Sequence, residues 1–160
     1  MSELYLDDLA AGQTFRSGRL SVDEAQIKRF AAEFDPQPFH LDAGAARGSL
    51  FGELIASGWH TAALTMRLLV DSEFKPVGGL IGAGVDELRW PRPVRPGDEL
   101  HLVSEIVEVR TSKSRPDRGL IKVRTTTFNQ NDEPVQIFVG NLVVPRRAVA
   151  VDRTPDAGGT

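Results

Sequence analysis

The chain has 160 residues, a formal net charge of −3 and no cysteine. That size suits one domain with one core, and without cysteine there are no disulfides, no thiolate nucleophile and no thiolate metal site. No basic tract offers itself to a phosphate backbone and no run reaches the roughly 20 apolar residues that cross a bilayer, which argues against nucleic acid and against membrane insertion.

The N-terminal stretch carries Glu3, Asp7 and Asp8 and lacks a basic start followed by an apolar run, so a secretory signal is not expected and a cytoplasmic location is. Residues 4–13 read as an irregular lead-in ending at the Ala11-Gly12 turn. Residues 14–21 alternate enough for one strand, with Phe15 and Leu20 as core contacts. Ser21 then caps a helix, with Glu24 three positions on completing a capping box, and Ile27, Phe30, Ala31 and Phe34 share its apolar side. Pro36 and Pro38 end this helix near Asp35.

A short helix or turn follows His40, and residues 56–70 form the chain's most apolar helix. Its expected buried face is Trp59, Ala62, Ala63, Met66, Leu69 and Val70, extended by Leu64 and Leu68. Four strands are predicted after it, over 79–90, 99–109, 119–130 and 134–144. Leu100, Leu102 and Ile106 lie on one parity of the second, Ile121 and Val123 on one parity of the third, and Asn131-Asp132 marks the last hairpin turn. Strands at hairpin spacing predict a curved antiparallel sheet rather than a βαβ repeat. One domain is expected over 1–151, with a flexible tail at 152–160.

The chemistry concentrates at Phe34-Asp35-Pro36-Gln37-Pro38-Phe39-His40 and at Ala56-Ser57-Gly58-Trp59-His60. Two prolines restrict the backbone between Asp35 and His40, so a carboxylate and an imidazole can converge on one water and exchange protons with it. His60 and His101 have no ligand spacing, so no metal site is expected. Asp42, Asp86 and Glu87 read as structural or solvated acids. Arg89, Arg92, Lys113, Arg115 and Arg118 read as a solvated basic edge outside the site.

The first of these stretches resembles the MaoC-like hydratase/dehydratase family, which includes (R)-specific enoyl-CoA hydratases. Its pattern is an aromatic residue shortly before Asp-x-Asn-Pro-x-His, and the resemblance covers roughly residues 15–144. It implies an α+β hot-dog fold, a curved antiparallel sheet wrapped around a long central helix, usually completed by dimerisation. It places Asp35 and His40 on the catalytic pair and makes Gly58 N–H the donor to the thioester oxygen, with Ser57 and Trp59 beside it at the oxyanion and substrate-binding site. Gln37 stands where the family has asparagine, and Ser57-Gly58-Trp59 stands where many hydratases have His-Gly-Met.

The implied reaction is hydration of a trans-2-enoyl thioester, or the reverse dehydration, with coenzyme A as acyl carrier and no cofactor or metal. The implied partners are an acyl-CoA substrate and a second copy, as a homodimer or a dimer of dimers. Acyl-CoA thioester hydrolysis and non-catalytic acyl-thioester binding are the alternative readings.

Overall fold

The computed structural model describes residues 3–148. The expected boundary at 151 and the tail at 152–160 lie outside the described residues. Strands β1 (Thr14–Arg16) and β2 (Leu20–Ser21) come first, then helices α1 (Glu24–Phe34), α2 (Pro38–Leu41), α3 (Ala43–Arg47) and α4 (Gly58–Val70). Strands β3 (Ile81–Arg89), β4 (Glu99–Thr111), β5 (Arg118–Phe128) and β6 (Pro134–Pro145) complete the order.

The strands form one antiparallel sheet in the order β1-β4-β5-β6-β3, with β2 also pairing β4. β4, β5 and β6 are joined in sequence, and the last hairpin turns at Asp132, whose φ of 58° is one that Asp tolerates better than most residues. β3 closes the far edge against β6, with its register interrupted between Gly82 and Gly84 and again between Val85 and Glu87.

Alternation along β4 and β5 decides which face is inside. Leu100, Leu102 and Ile106 point into the core together with Ile121 and Val123, and Val135 and Val144 of β6 join them. α4 lies against β4 and β6 and adds Leu68 and Leu69 to this core, while α1 adds Ile27. Each such side chain contributes about 1.5–3 kcal/mol of burial. Two hydroxyl pairs are set among these residues: Thr65 of α4 meets Thr127 of β5 at 2.7 Å, and Ser104 meets Thr125 at 2.9 Å.

Three expectations are corrected. The strand expected over 14–21 is two short strands, broken where Ser17 turns its hydroxyl to its neighbour's carbonyl and its N–H to Leu102 O. α1 is capped by Asp23 with Gln26, not by Ser21 with Glu24, because Val22 is held extended between Asp98 O and Gly97 N–H. Phe34, expected in the core, is 65% exposed at the end of α1.

The buried face of α4 is also different. His60, Thr61, Thr65, Leu68 and Leu69 face inward, while Trp59, Met66 and Val70 are 60%, 45% and 49% exposed. The helix buries a stripe in which threonine hydroxyls have partners and leaves an apolar stripe outside.

Candidate active site

α1 ends at Asp35 for the reason its sequence gives: the residue before a proline is pushed out of helical conformation, and Asp35 sits at φ −151°, ψ 67° as the C-cap, its N–H bonded to Ala31 O. Gln37 stands at the N-cap position of α2 with its side chain turned elsewhere, and Pro38 takes the first helical position, where its missing N–H costs nothing. This one-turn helix carries His40 back toward Asp35. The distance from His40 Nε2 to Asp35 Oδ2 is 3.3 Å.

The imidazole is buried, and its Nδ1 lies 2.7 Å from the Ile55 carbonyl. A carbonyl only accepts, so Nδ1 carries a hydrogen and Nε2 is the nitrogen turned to Asp35. Ile55 N–H in turn donates to Phe39 O, and Ala56 N–H to Val94 O. These bonds set the start of α4 beneath α2 and beside the proline-rich segment before β4.

Ser57 is the N-cap of α4 and is fully buried. Its Oγ accepts from Trp59 N–H at 3.2 Å and donates to Asp35 Oδ2 at 2.7 Å, while Gln37 Nε2 donates to Asp35 Oδ1, also at 2.7 Å. The Ser57 hydroxyl, then the Gln37 amide, hold the Asp35 carboxyl below the usual carboxylate range. Partial burial opposes them and the nearby His40 adds to them.

A cavity of about 520 Å³ opens over this pair. Asp35, Gln37, His40, Gly58, Trp59 and Trp90 all line it, so the expected acid, imidazole and glycine share one space. Ser57 lies behind Asp35 and reaches the cavity only through that carboxylate. Gly58 is the first residue of α4, so its N–H precedes the intrahelical ladder and is available to an acceptor in the cavity.

Trp90 packs directly on Gly58. A Cβ at Gly58 would lie 2.7 Å from the indole, which explains why glycine stands there. The ring is fixed by its Nε1–H donating to Gln136 Oε1 at 3.0 Å and by Trp59, edge-on at 5.5 Å between centroids. Trp90 and Gln136 are the site residues that sequence reasoning missed. Arg92, read there as part of a solvated edge, also lines the cavity and pairs with Glu133 at 3.0 Å.

The other candidates have structural roles. His60 is buried and stacked on Phe30 at 4.7 Å, and burial, then the charge of Arg29, lowers the proton affinity of its ring. His101 Nε2 lies 3.2 Å from Asp132. Asp42 caps α3, Asp86 holds Lys122 and Asn141, and Glu87 pairs with Arg89. Among the described residues no group of three or more His, Cys, Asp or Glu is placed to hold a metal ion, and no helix is long and apolar enough to cross a membrane.

The family model described as MaoC like domain matches residues 8–128. The chain belongs to the MaoC-like hydratase/dehydratase family. A MaoC-like dehydratase from Rhodospirillum rubrum, solved by crystallography, is 56% identical to it with a TM-score of 0.88, over 91% of this chain and 99% of that one. The protein YdeM of Bacillus subtilis is 33% identical over 141 residues, 88% of this chain and 97% of YdeM. The R-hydratase PhaJ1 of Pseudomonas aeruginosa is 27% identical with a TM-score of 0.70, over 98% of this chain and 97% of PhaJ1. The α+β architecture is thus shared across the MaoC-like family, and a buried His–Asp pair of the kind a hydratase dyad requires is present here.

Proposed function

We propose that this protein is an enoyl-thioester hydratase acting through Asp35 and His40, adding water to a trans-2-enoyl-CoA to give the (R)-3-hydroxyacyl-CoA, or running the reverse dehydration. The observation that carries this reading is the 3.3 Å contact between the two side chains on a cavity that also exposes Gly58. Family membership and the similarity to an R-hydratase support the chemistry.

In the forward direction the pair binds one water. One of its O–H bonds breaks, its oxygen bonds to the β carbon as the C=C π bond opens, and a proton is delivered to the α carbon, so the step balances without an oxidant or reductant. Negative charge develops on the thioester oxygen, and Gly58 N–H at the positive end of α4 stabilises it in this reading. Trp59 and Trp90 form the aromatic wall against which the acyl thioester lies.

The hot-dog arrangement, with the sheet curving around α4, belongs to the same proposal and is supported by the bulges in β3 and β4 and by the contacts of α4 with β4 and β6. So does a homodimer. Among the described residues the outer edge of β3 has no strand beside it, Ile81 and Val85 on it are 47% and 54% exposed, and the exposed stripe of α4 adds Met66 and Val70. An edge of that kind needs covering.

A panel of enoyl-CoA thioesters of different chain lengths, followed by mass, is the direct test. Gain of one water is the expected result. Release of free thiol in its place would mean thioester hydrolysis, and tight binding without any turnover would mean a binding protein.

A further inference from the structure

We propose that Ser57 and Gln37 are positioning residues for Asp35, holding its carboxylate ionised and in one rotation so that it accepts, and does not donate, toward the water; the assignment rests on the hydration reading above. The two places where this chain departs from the family's pattern are the two that grip this one side chain. Each departure has a geometric consequence.

Gln37 carries one methylene more than asparagine. With its backbone N–H bonded to Asp35 O at 2.7 Å, the longer side chain folds back to place Nε2 2.7 Å from Oδ1. Ser57 has a single hydroxyl proton. Its oxygen already accepts from Trp59 N–H at 3.2 Å, so the proton is left for Asp35 Oδ2 at 2.7 Å, and full burial shields that bond from competing water.

Both carboxylate oxygens therefore face donors. An ionised carboxylate offers about four acceptor sites. Gln37 and Ser57 occupy two, which leaves acceptor capacity for the reacting water on the cavity side, where 17% of the side chain is exposed. Adding a proton to Asp35 would weaken two charge-assisted hydrogen bonds together. His40 is constrained to match, since its Nδ1 is committed to Ile55 O and only Nε2 can move a proton.

The test is an NMR titration of the full-length protein labelled with carbon-13 at the aspartate carboxyls, the Asp35 signal being assigned with Asp35→Asn. In the wild type Asp35 should titrate below the ordinary carboxylate range. In Ser57→Ala and in Gln37→Leu the carboxylate should bind a proton about tenfold more tightly, the effect of losing one hydrogen bond to a charged group, and Ser57→Thr should restore the wild-type curve. The acid limb of kcat/KM should rise in pH in the same two variants, which loss of a helix cap alone would not produce.

If Ser57→Ala does not fold, Gln37→Leu on the exposed side of the turn carries the test alone. Identical Asp35 curves in wild type and Gln37→Leu would overturn the assignment, as would a wild-type Asp35 titrating at or above the ordinary range. A shifted Asp35 in a protein that hydrates no thioester would support the positioning role while removing the proposed reaction.

Discussion

Replacing Gly58 by alanine tests how tightly the cavity wall is seated on the start of α4. The new Cβ would meet Trp90 Cε2 at 2.7 Å and Cδ2 and Cζ2 at 2.8 Å, about 0.7 Å inside ordinary van der Waals contact. The indole has nowhere easy to go. Moving it stretches the 3.0 Å bond to Gln136, whose side chain is buried and would lose its partner, and presses on Trp59.

Overpacking of this kind costs about 1–3 kcal/mol, and an unpaired buried amide adds about 1–3 kcal/mol if that bond breaks. A chain of this size should lose roughly 2–4 °C of melting temperature per kcal/mol. If the helix start moves instead, Gly58 N–H is displaced on the order of 1 Å from the thioester oxygen, which costs about 10²-fold in rate.

Thermal unfolding and single-turnover hydration read the two losses separately. Repeating both in a Trp90→Phe background completes a double-mutant cycle, in which the smaller ring should shrink the cost of Gly58→Ala by at least about 1 kcal/mol. Equal costs in both backgrounds, or a Gly58→Ala protein as stable and as fast as wild type, would refute the reasoning.

Asp35→Asn and His40→Ala should each reduce hydration on the order of 10²-fold or more, as expected when a general acid–base group is removed. Wild-type rates in either variant would rule out the pair as the catalytic unit. His60 gives a pH dependence of stability. Burial lowers its folded-state proton affinity below the unfolded value, so its contribution is complete above the ordinary histidine value of about 6.5. That contribution is lost as pH falls toward the depressed value; urea midpoints from pH 8 to 5 should fall in the wild type and flatten in His60→Leu. Met66→Lys with Val85→Lys should convert a dimer to a monomer in solution sizing, and a wild-type protein that is already monomeric over a wide concentration range would contradict the proposed pairing.

How much of this was legible in the sequence depended on the range of the interaction. The turn from Asp35 to His40 could be read because two prolines confine six residues, and the strands of the second half because their alternation is local. The start of α1 was read from Ser21 with Glu24, while the structure caps it with Asp23 and Gln26. The choice was made by Asp98 and Gly97, which hold Val22 from far along the chain.

The face of α4 was misread for a related reason. Periodicity shows that a helix is amphipathic, but Thr61 and Thr65 bury only because Ser57 O and Thr127 Oγ1 meet their hydroxyls, while Trp59 and Met66 look outward. Trp90 on Gly58 had no local signal at all. Its place depends on Gln136, from the opposite end of the chain.

The Thr65–Thr127 pair also sets where α4 stops along its own axis. Greasy side chains tolerate a helix sliding past a sheet, but a slip of one residue moves the axis about 1.5 Å and turns it by about 100°, which would strand two hydroxyls in the core. Ser57 lies about 12 Å up the same rigid rod, so its reach to Asp35 is gauged from the sheet as well as from the turn. Thr127, on a strand and outside the cavity lining, is thus a remote adjusting screw for the carboxylate, and altering it would detune the reaction without touching a single group that meets the substrate.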